Sequence, residues 1–238
     1  MTLLQLVRQF CQRTNLTVPA TVYGSTDTQI IQIKALLEEI GIDLNGRGTW
    51  QATTKQAIHI TLPIEDQGFI NVIASDGFKY IKNQTIWDRT DRLPVLGPTD
   101  GQDWQALKAV VVTAPRYWFR ILGGKLLSNP APPVDHEWAF EYASENWILD
   151  VDGLTYKQFF TSDTDVPLLP NTLLLQGLRA WWKREKGLDY AEDFRMYETQ
   201  VKDALNRDGG KPILHQDNET WRGPTPGIWV PSGSWNLP

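Results

Sequence analysis

The chain has 238 residues but only one cysteine, three histidines and two methionines. Cys11 alone cannot form an intrachain disulfide, so stability must come from a packed core, and a reducing compartment fits. His59, His136 and His215 lie far apart, in neither an HxxxH nor an HExxH spacing, so the sequence contains no local zinc motif. No window approaches the roughly 18 apolar residues of a membrane span. The start, MTLLQLVRQFCQRTNL, lacks an apolar stretch followed by a small-residue cleavage site, and no signal peptide is expected. A basic excess is missing too. The net charge is -5 and the pI near 5.2, which argues against a protein that grips nucleic acid or anionic lipid. DNA passing nearby without being held remains compatible with that charge.

Motifs of catalysis are equally scarce. There is no GxSxG elbow. The two Gly-Gly-Lys triplets, at 123–125 and 209–211, lack the earlier glycine and the following Ser/Thr of a phosphate loop. They read as a hairpin turn and a helix stop. Asp150-Val151-Asp152-Gly153 resembles the start of a calcium loop, but position six is Tyr156 and position twelve is Thr161, so an Asp-Gly turn is the better reading. Asp163 and Asp165 are expected to cap the helix that follows. Cys11 sits beside an apolar helix face, where an inert buried thiol is expected. Glu137, Glu141 and Glu145 invite a glycosidase reading, yet Glu137 and Glu141 alternate with Trp138, Phe140 and Tyr142 as the solvent face of a strand would. No catalytic, metal or cofactor residues are therefore assigned, and the chain is expected not to be an enzyme.

What is present is an ordinary globular core. Apolar residues make up 41% and charged residues 21%, and 238 residues suffice to bury a sizeable interior. Residues 2–14 read as an amphipathic helix capped by Thr2, with Leu3, Leu6, Val7 and Phe10 on one face. A second helix is expected from about Thr26 to Ile40, with Gly41 just past its end. The two would form a hairpin. From residue 57 the period changes. AIHITLP alternates at Ile58, Ile60 and Leu62, the signature of a half-buried strand. FINVIA, FKYI and QTIWDR read as further strands, DGQDWQALKAV as one or two helical turns, and YWFRIL and KLLSNP as a hairpin around Gly123-Gly124. Helix returns near Pro167, with Leu168, Leu169, Leu173, Leu174, Leu178, Trp181 and Trp182 forming a broad apolar band. A last helix opens at Asp189, with Glu192 completing a capping box, and closes at Asp208-Gly209-Gly210. The expected class is α+β: a four-helix bundle with an inserted small antiparallel β subdomain and an extended C-terminal arm. The divisions are 1–56, a helical hairpin; 57–150, the β subdomain; 151–210, a second helical hairpin; and 211–238, the arm.

The arm is the most unusual stretch. Residues 209–238 hold five prolines, five glycines and three of the eleven tryptophans, with no period. A solvated tail is poor in aromatics. Tryptophans on a proline-stiffened segment suit docking onto a surface, this protein's own or a partner's. Arg179, Lys183, Arg184 and Lys186 crowd the end of the third long helix beside Trp181 and Trp182. They suit the helix C-terminus and could also rim a contact with a neighbouring subunit.

In order and spacing, several stretches together resemble one family. They are ALLEEIG, NGRGTWQATTKQ, TIWDRTDRLPVLGPTDGQDWQAL, FRILGGKLLSNPAPP, FEYASENWI, FTSDTDVPLLPNTLLLQGLRAWWKREKGLDYAEDFRMYE and the arm. The chain resembles the head-to-tail adaptor (connector, tail tubular protein A-like) proteins of tailed bacteriophages over most of its length. That resemblance implies a structural virion protein in the neck or tail, made in the host cytoplasm. It implies a ring of twelve subunits beneath the portal, a C-terminal arm reaching the portal, a nozzle or tail-tube protein on the opposite face, and DNA passing through the channel. No membrane partner is implied. On this basis Trp221, Arg222, Trp229 and Trp235 are expected to dock on the portal, and Trp181, Trp182 and Arg184 to form subunit contacts. Two other functions fit the same composition: a carbohydrate-binding or carbohydrate-cleaving tail component, and a tail-completion or tube protein at another level.

Overall fold

The computed structural model of the protein describes residues 1–109 and 116–209. The first helix, α1 (Leu3–Thr14), starts as its sequence dictates. The Gln5 N–H donates to Thr2 Oγ1 and the Thr2 N–H to Gln5 Oε1, a reciprocal cap. Asn15, with φ of 56°, ends it in the left-handed conformation.

The second helix, α2 (Thr28–Gly46), departs from expectation at its end. Gly41 is not a stop but lies inside the helix. A Cβ there would stand 2.1 Å from Cζ2 of Trp147, so glycine is needed for close approach, not for a turn.

The β region holds β1 (Thr54–Ile60), β2 (Asp66–Phe69), α3 (Ile70–Ile73), β3 (Phe78–Ile81), β4 (Trp87–Asp88), β5 (Leu93–Pro94), α4 (Gly101–Ala109), β6 (Trp118–Leu122), β7 (Lys125–Asn129) and β8 (Glu137–Ser144). FINVIA is thus mostly the short helix α3 and not a strand. The β6–β7 hairpin forms as expected, with φ of 59° and 76° at Gly123 and Gly124. Three short strands follow: β9 (Ile148–Leu149), β10 (Tyr156–Lys157) and β11 (Val166–Pro167). The third long helix, α5 (Asn171–Glu185), starts later than the Pro167 expected. The last, α6 (Ala191–Asp208), has Tyr190 and not Asp189 at its N-cap; the Asp189 carboxylate accepts the Ala191 N–H and Glu192 pairs with Arg195, so the expected capping box does not form.

The strands form three antiparallel sheets: a five-stranded one ordered β1-β8-β4-β5, with β3 also on β8, and two three-stranded ones, β2-β7-β6 and β10-β9-β11. With six helices among the described residues, 39% helix and 22% strand, the fold is not a four-helix bundle carrying a small β insert. The physical reason is where the side chains pack. One core gathers Leu6, Phe10, Ile33, Leu37, Leu174 and Leu178 from the helices, but Trp50, Trp147, Ile148 and Phe160 from outside them complete it. α5 lies at its centre against α6, α2 and α1, so α1 and α2 each pack on α5 instead of forming a self-contained hairpin. A second core, with Phe119, Leu126, Trp138 and Phe140 at its middle, fills the β region.

Asp163 and Asp165 do not cap α5, whose N-cap is Pro170 without a side-chain bond. They tie the segment before α5 to the start of α1 and to the turn at Val22 and Tyr23. The Asp163 carboxylate accepts the N–H groups of Val22 and Tyr23, and the carbonyls of Asp165 and Asp163 accept those of Leu3 and Leu4. The buried Asp165 carboxylate accepts from Thr161 N–H, Ser162 N–H and Lys157 Nζ. Burial works against ionisation there, yet these donors hold its pKa below the usual carboxylate range.

Candidate interaction surfaces

Trp181 and Trp182 are each only 7% exposed. The Trp181 ring packs on Phe194 and edge-on to Tyr197, with centroids at 5.6 and 5.4 Å, and its Nε1–H donates to Glu39 Oε1 at 3.4 Å. Trp182 meets Phe10 edge to face at 5.8 Å. Both indoles therefore fill this chain's own core. Cations roof them: the Arg184 guanidinium lies 5.4 Å from the Trp181 ring and Lys186 Nζ 4.4 Å from the Trp182 ring. Arg179 and Lys183 are drawn inward to Asp193, at 3.2 and 2.5 Å. Arg184 remains half exposed beside Glu185. Of the three residues expected at a subunit contact, the structure brings Arg184 to the surface and places the two tryptophans beneath it.

Nearby, the α2 and α6 helices are joined by Arg47, which reaches Asp43 at 2.7 Å and Glu198 at 2.6 Å. The Tyr197 hydroxyl donates to Asp43, and burial together with that carboxylate pushes its phenol well above the ordinary range. This end of the helical body is a joint that fastens α2 to α6.

Trp221, Arg222, Trp229 and Trp235, expected to dock on a portal, lie outside the described residues. What is described is the root of their segment. The Asp208 carboxylate, at the end of α6, accepts the Gln51 N–H at 2.7 Å. Beside it opens a groove of about 620 Å³, lined by Trp50, Leu173, Gln200, Ala204, Arg207 and Asp208. The Trp50 Nε1–H donates to Leu44 O inside the body, which fixes the indole as the groove floor.

The β region carries a second surface, and here the sequence pattern misleads. β1 was expected to bury Ile58, Ile60 and Leu62. They are instead 52%, 52% and 45% exposed, while Ala57 faces the core. The alternation is real, but the larger face points outward because the interior is already filled by Trp138, Phe140 and Tyr142 of β8. Pairing explains the edge. The Thr61 N–H donates to His136 O and the register sets Ala57 against Phe140, so the odd residues of β1 bond to β8. Gln56, Ile58 and Ile60 then turn their backbone N–H and C=O groups outward. Among the described residues no second strand pairs with β1. At Leu62 the Gln67 amide covers the edge, accepting its N–H at 2.8 Å and donating to its carbonyl at 3.0 Å. The sheet face beside Ile58 and Ile60 is bordered by two ion pairs, Arg89–Glu137 and Lys82–Glu141. Glu137 and Glu141 are thus each paired with a cation and do not face one another as an acid–base couple.

One cluster has the composition of a metal site. Carboxylate oxygens of Asp88 and Asp91 and a ring nitrogen of His136 lie within 4.8 Å of one another. Buried Asp88, however, already accepts the Thr90 and Asp91 N–H groups on one oxygen. On the other it accepts from His136 Nδ1 and Trp138 Nε1. Four donors satisfy the carboxylate, which is how a buried charge is held without a cation. The donor set fits a network fastening β4 to β8. Nothing in the local spacing of these residues announced it, since 48 positions separate Asp88 from His136.

No protein-family model matches the chain, and no curated protein matches it in sequence.

Proposed function

We propose that the chain is a non-enzymatic head-to-tail adaptor of a tailed bacteriophage, assembling as a ring between portal and tail. The sequence resemblance supplies the class. The structural observation that carries most weight is the outward pair Ile58 and Ile60 on the unpaired edge of β1, continued beyond the strand by exposed Leu62. Contiguous apolar surface of this kind marks an assembly face. In this proposal the β face meets the next copy, Arg184 adds a polar contact on the helical side, and residues 211–238 dock on the portal through Trp221, Arg222, Trp229 and Trp235. A nozzle or tail-tube protein joins the opposite end. The mildly acidic chain suits a channel through which DNA slides without being gripped. No helix among the described residues is long and apolar enough to cross a membrane.

Mixing the purified chain with portal and weighing the complex tests this. The expected result is a portal-bound ring whose mass corresponds to many copies, and its loss on deleting residues 211–238. A chain that never associates with any portal of its phage sinks the proposal.

A further inference from the structure

We infer that Lys55, Asp76 and Asn146 form a self-processing site: the Lys55 amine displaces ammonia from the Asn146 side chain and leaves an amide bond between β1 and the segment after β8. This site is independent of the adaptor reading.

Lys55 lies near the start of β1, Asp76 in the turn before β3 and Asn146 just past β8. Sheet pairing draws them together. Lys55 stands opposite Tyr142 on β8, and the Glu145 N–H donates to Gly77 O at 2.7 Å. The Asp76 carboxylate then joins the other two side chains. Lys55 Nζ donates to its Oδ2, and Asn146 Nδ2 donates to its Oδ1 at 3.2 Å. The attacking amine and the leaving nitrogen therefore sit on the two oxygens of one carboxylate, which is the placement a proton relay requires. Backbone contacts hold this geometry. Ser144 Oγ donates to Asp76 O at 2.6 Å and accepts the Asn146 N–H at 3.0 Å. A Cβ on Gly77 would stand 2.8 Å from Asn146 Cγ, so the carboxamide packs on bare backbone. Groups fixed at such close range react as one molecule and not as two.

Lysine is a nucleophile only as the free amine. The Lys55 side chain is 13% exposed, with Nζ over the Tyr156 ring. Burial lowers its pKa from the ordinary lysine value, and the bond to Asp76 opposes that without cancelling it. The same carboxylate takes the proton. Lys55 Nζ passes one to Asp76, and its lone pair attacks Asn146 Cγ, moving the carbonyl electrons onto Oδ1. Asp76 hands the proton to Nδ2. The carbonyl re-forms, the Cγ–Nδ2 bond breaks and ammonia leaves on the solvent side, where Asp76 is 35% exposed. The new amide nitrogen sheds its extra proton through Asp76 to the ammonia. An ammonium and a carboxamide thus become a secondary amide and an ammonium ion, with no oxidant or co-reactant. The bond ties the strand bearing Ile58 and Ile60 to the residue before Trp147, which enters the helical core.

Mass spectrometry of the purified full-length chain tests this. The intact mass is expected to fall about 17 Da below that of the sequence, the mass of one ammonia. A tryptic digest should yield one branched peptide joined through Lys55 and Asn146. Lys55→Arg and Asn146→Ala should each restore the full mass. Asp76→Asn, checked for folding by circular dichroism, should form the bond at least about tenfold more slowly, because the relay is gone. The wild-type measurement stands whether or not those variants fold. An intact mass equal to that of the sequence after prolonged incubation overturns the inference. So does a loss of about 17 Da without the branched peptide, which would be deamination elsewhere in the chain. A loss of about 18 Da with Lys55 joined to Asp76 also overturns it, since water and not ammonia would then have left.

Discussion

Trp147 and Ile58 both belong to stretches that alternate like strands, yet they end in opposite environments. Trp147 leaves the β region and inserts into the helical body, edge-on to Phe160 at 5.3 Å and against the bare backbone of Gly41. Ile58 stays on the β region and faces outward. The helical body therefore closes over large side chains borrowed from its neighbour, although it too exposes single residues such as Ile31, Ile42 and Met196, while the β body leaves a row of its own uncovered on one strand. Closure is a property of a finished core, and an open apolar edge is a property of a part that has yet to meet another. The same contrast runs through the two aspartates that are fully buried among the described residues. Asp165 in the helical body is neutralised by a lysine, whereas Asp88 in the β body is held by His136, the Trp138 indole and backbone N–H groups.

The sharpest break of this contrast is Trp147→Ala. Removing a fully buried tryptophan from a closed core is expected to cost about 3–5 kcal/mol. Urea unfolding followed by far-UV circular dichroism measures it. A loss under about 1 kcal/mol would mean that the helical body does not depend on its borrowed side chain. The indole N–H of Trp147 has no hydrogen-bond partner among the described residues, so Trp147→Phe should cost much less than the alanine change.

Next in size is Asp165→Asn. It leaves Lys157 with Asp150 as its remaining carboxylate and weakens the bonds from Thr161 and Ser162, for a loss of roughly 3 kcal/mol at pH 7. The folded-state pKa of Asp165 is depressed, so its contribution is complete above the ordinary carboxylate value of 3.8 and disappears as pH falls through the folded value. The gap between wild type and Asp165→Asn should therefore narrow in acid. Lys157 is raised: burial opposes its charge, but its bonds to Asp165 and Asp150 prevail. Its contribution is complete below the ordinary 10.5 and fades as pH rises through the folded value. Unfolding midpoints at pH 7, at about pH 2 and at about pH 12 check both limbs.

Gly41→Ala probes closure from the other side. The added methyl must displace the Trp147 ring, which Phe160 holds, and a loss of about 2 kcal/mol is expected. This site also shows what was legible in the sequence. A glycine after Leu36, Leu37 and Ile40 looks like a helix stop, because the helical period cannot reveal that a ring from 106 residues later needs the space. The long helices and the β6–β7 hairpin were legible since each follows from local chemistry: a Thr2 cap, an apolar stripe, two adjacent glycines. Strands of two residues, such as β9, β10 and β11, are too short to show alternation, and so the third sheet was missed. Alternation in β1 was read correctly, but which face it buries depends on how much of the interior β8 already fills. The surface candidates divide in the same way. Trp181 and Trp182 fall in the apolar band legible along α5, and that band, more than their composition, marks them as core. The groove beside Asp208 joins residues 50, 173 and 204, and no sequence window contains it.

The smallest effect on stability should accompany the largest on assembly. Ile58 and Ile60 point into solvent, and replacing both by lysine removes little buried area, so stability should change by no more than about 0.5 kcal/mol. Lysine on an open edge is also how strands are kept from pairing, since its charge must be desolvated by any approaching strand. Ile58→Lys with Ile60→Lys is therefore expected to leave the unfolding midpoint in place while abolishing or strongly weakening the portal-bound ring, read by its mass. The outcome separates two meanings of an exposed apolar row. If the ring forms undiminished, the β edge is merely uncovered surface, and assembly must run through the helical side around Arg184. If instead the unfolding midpoint falls sharply, the row is packed against something within its own chain, and the contrast between a closed helical body and an open β body fails.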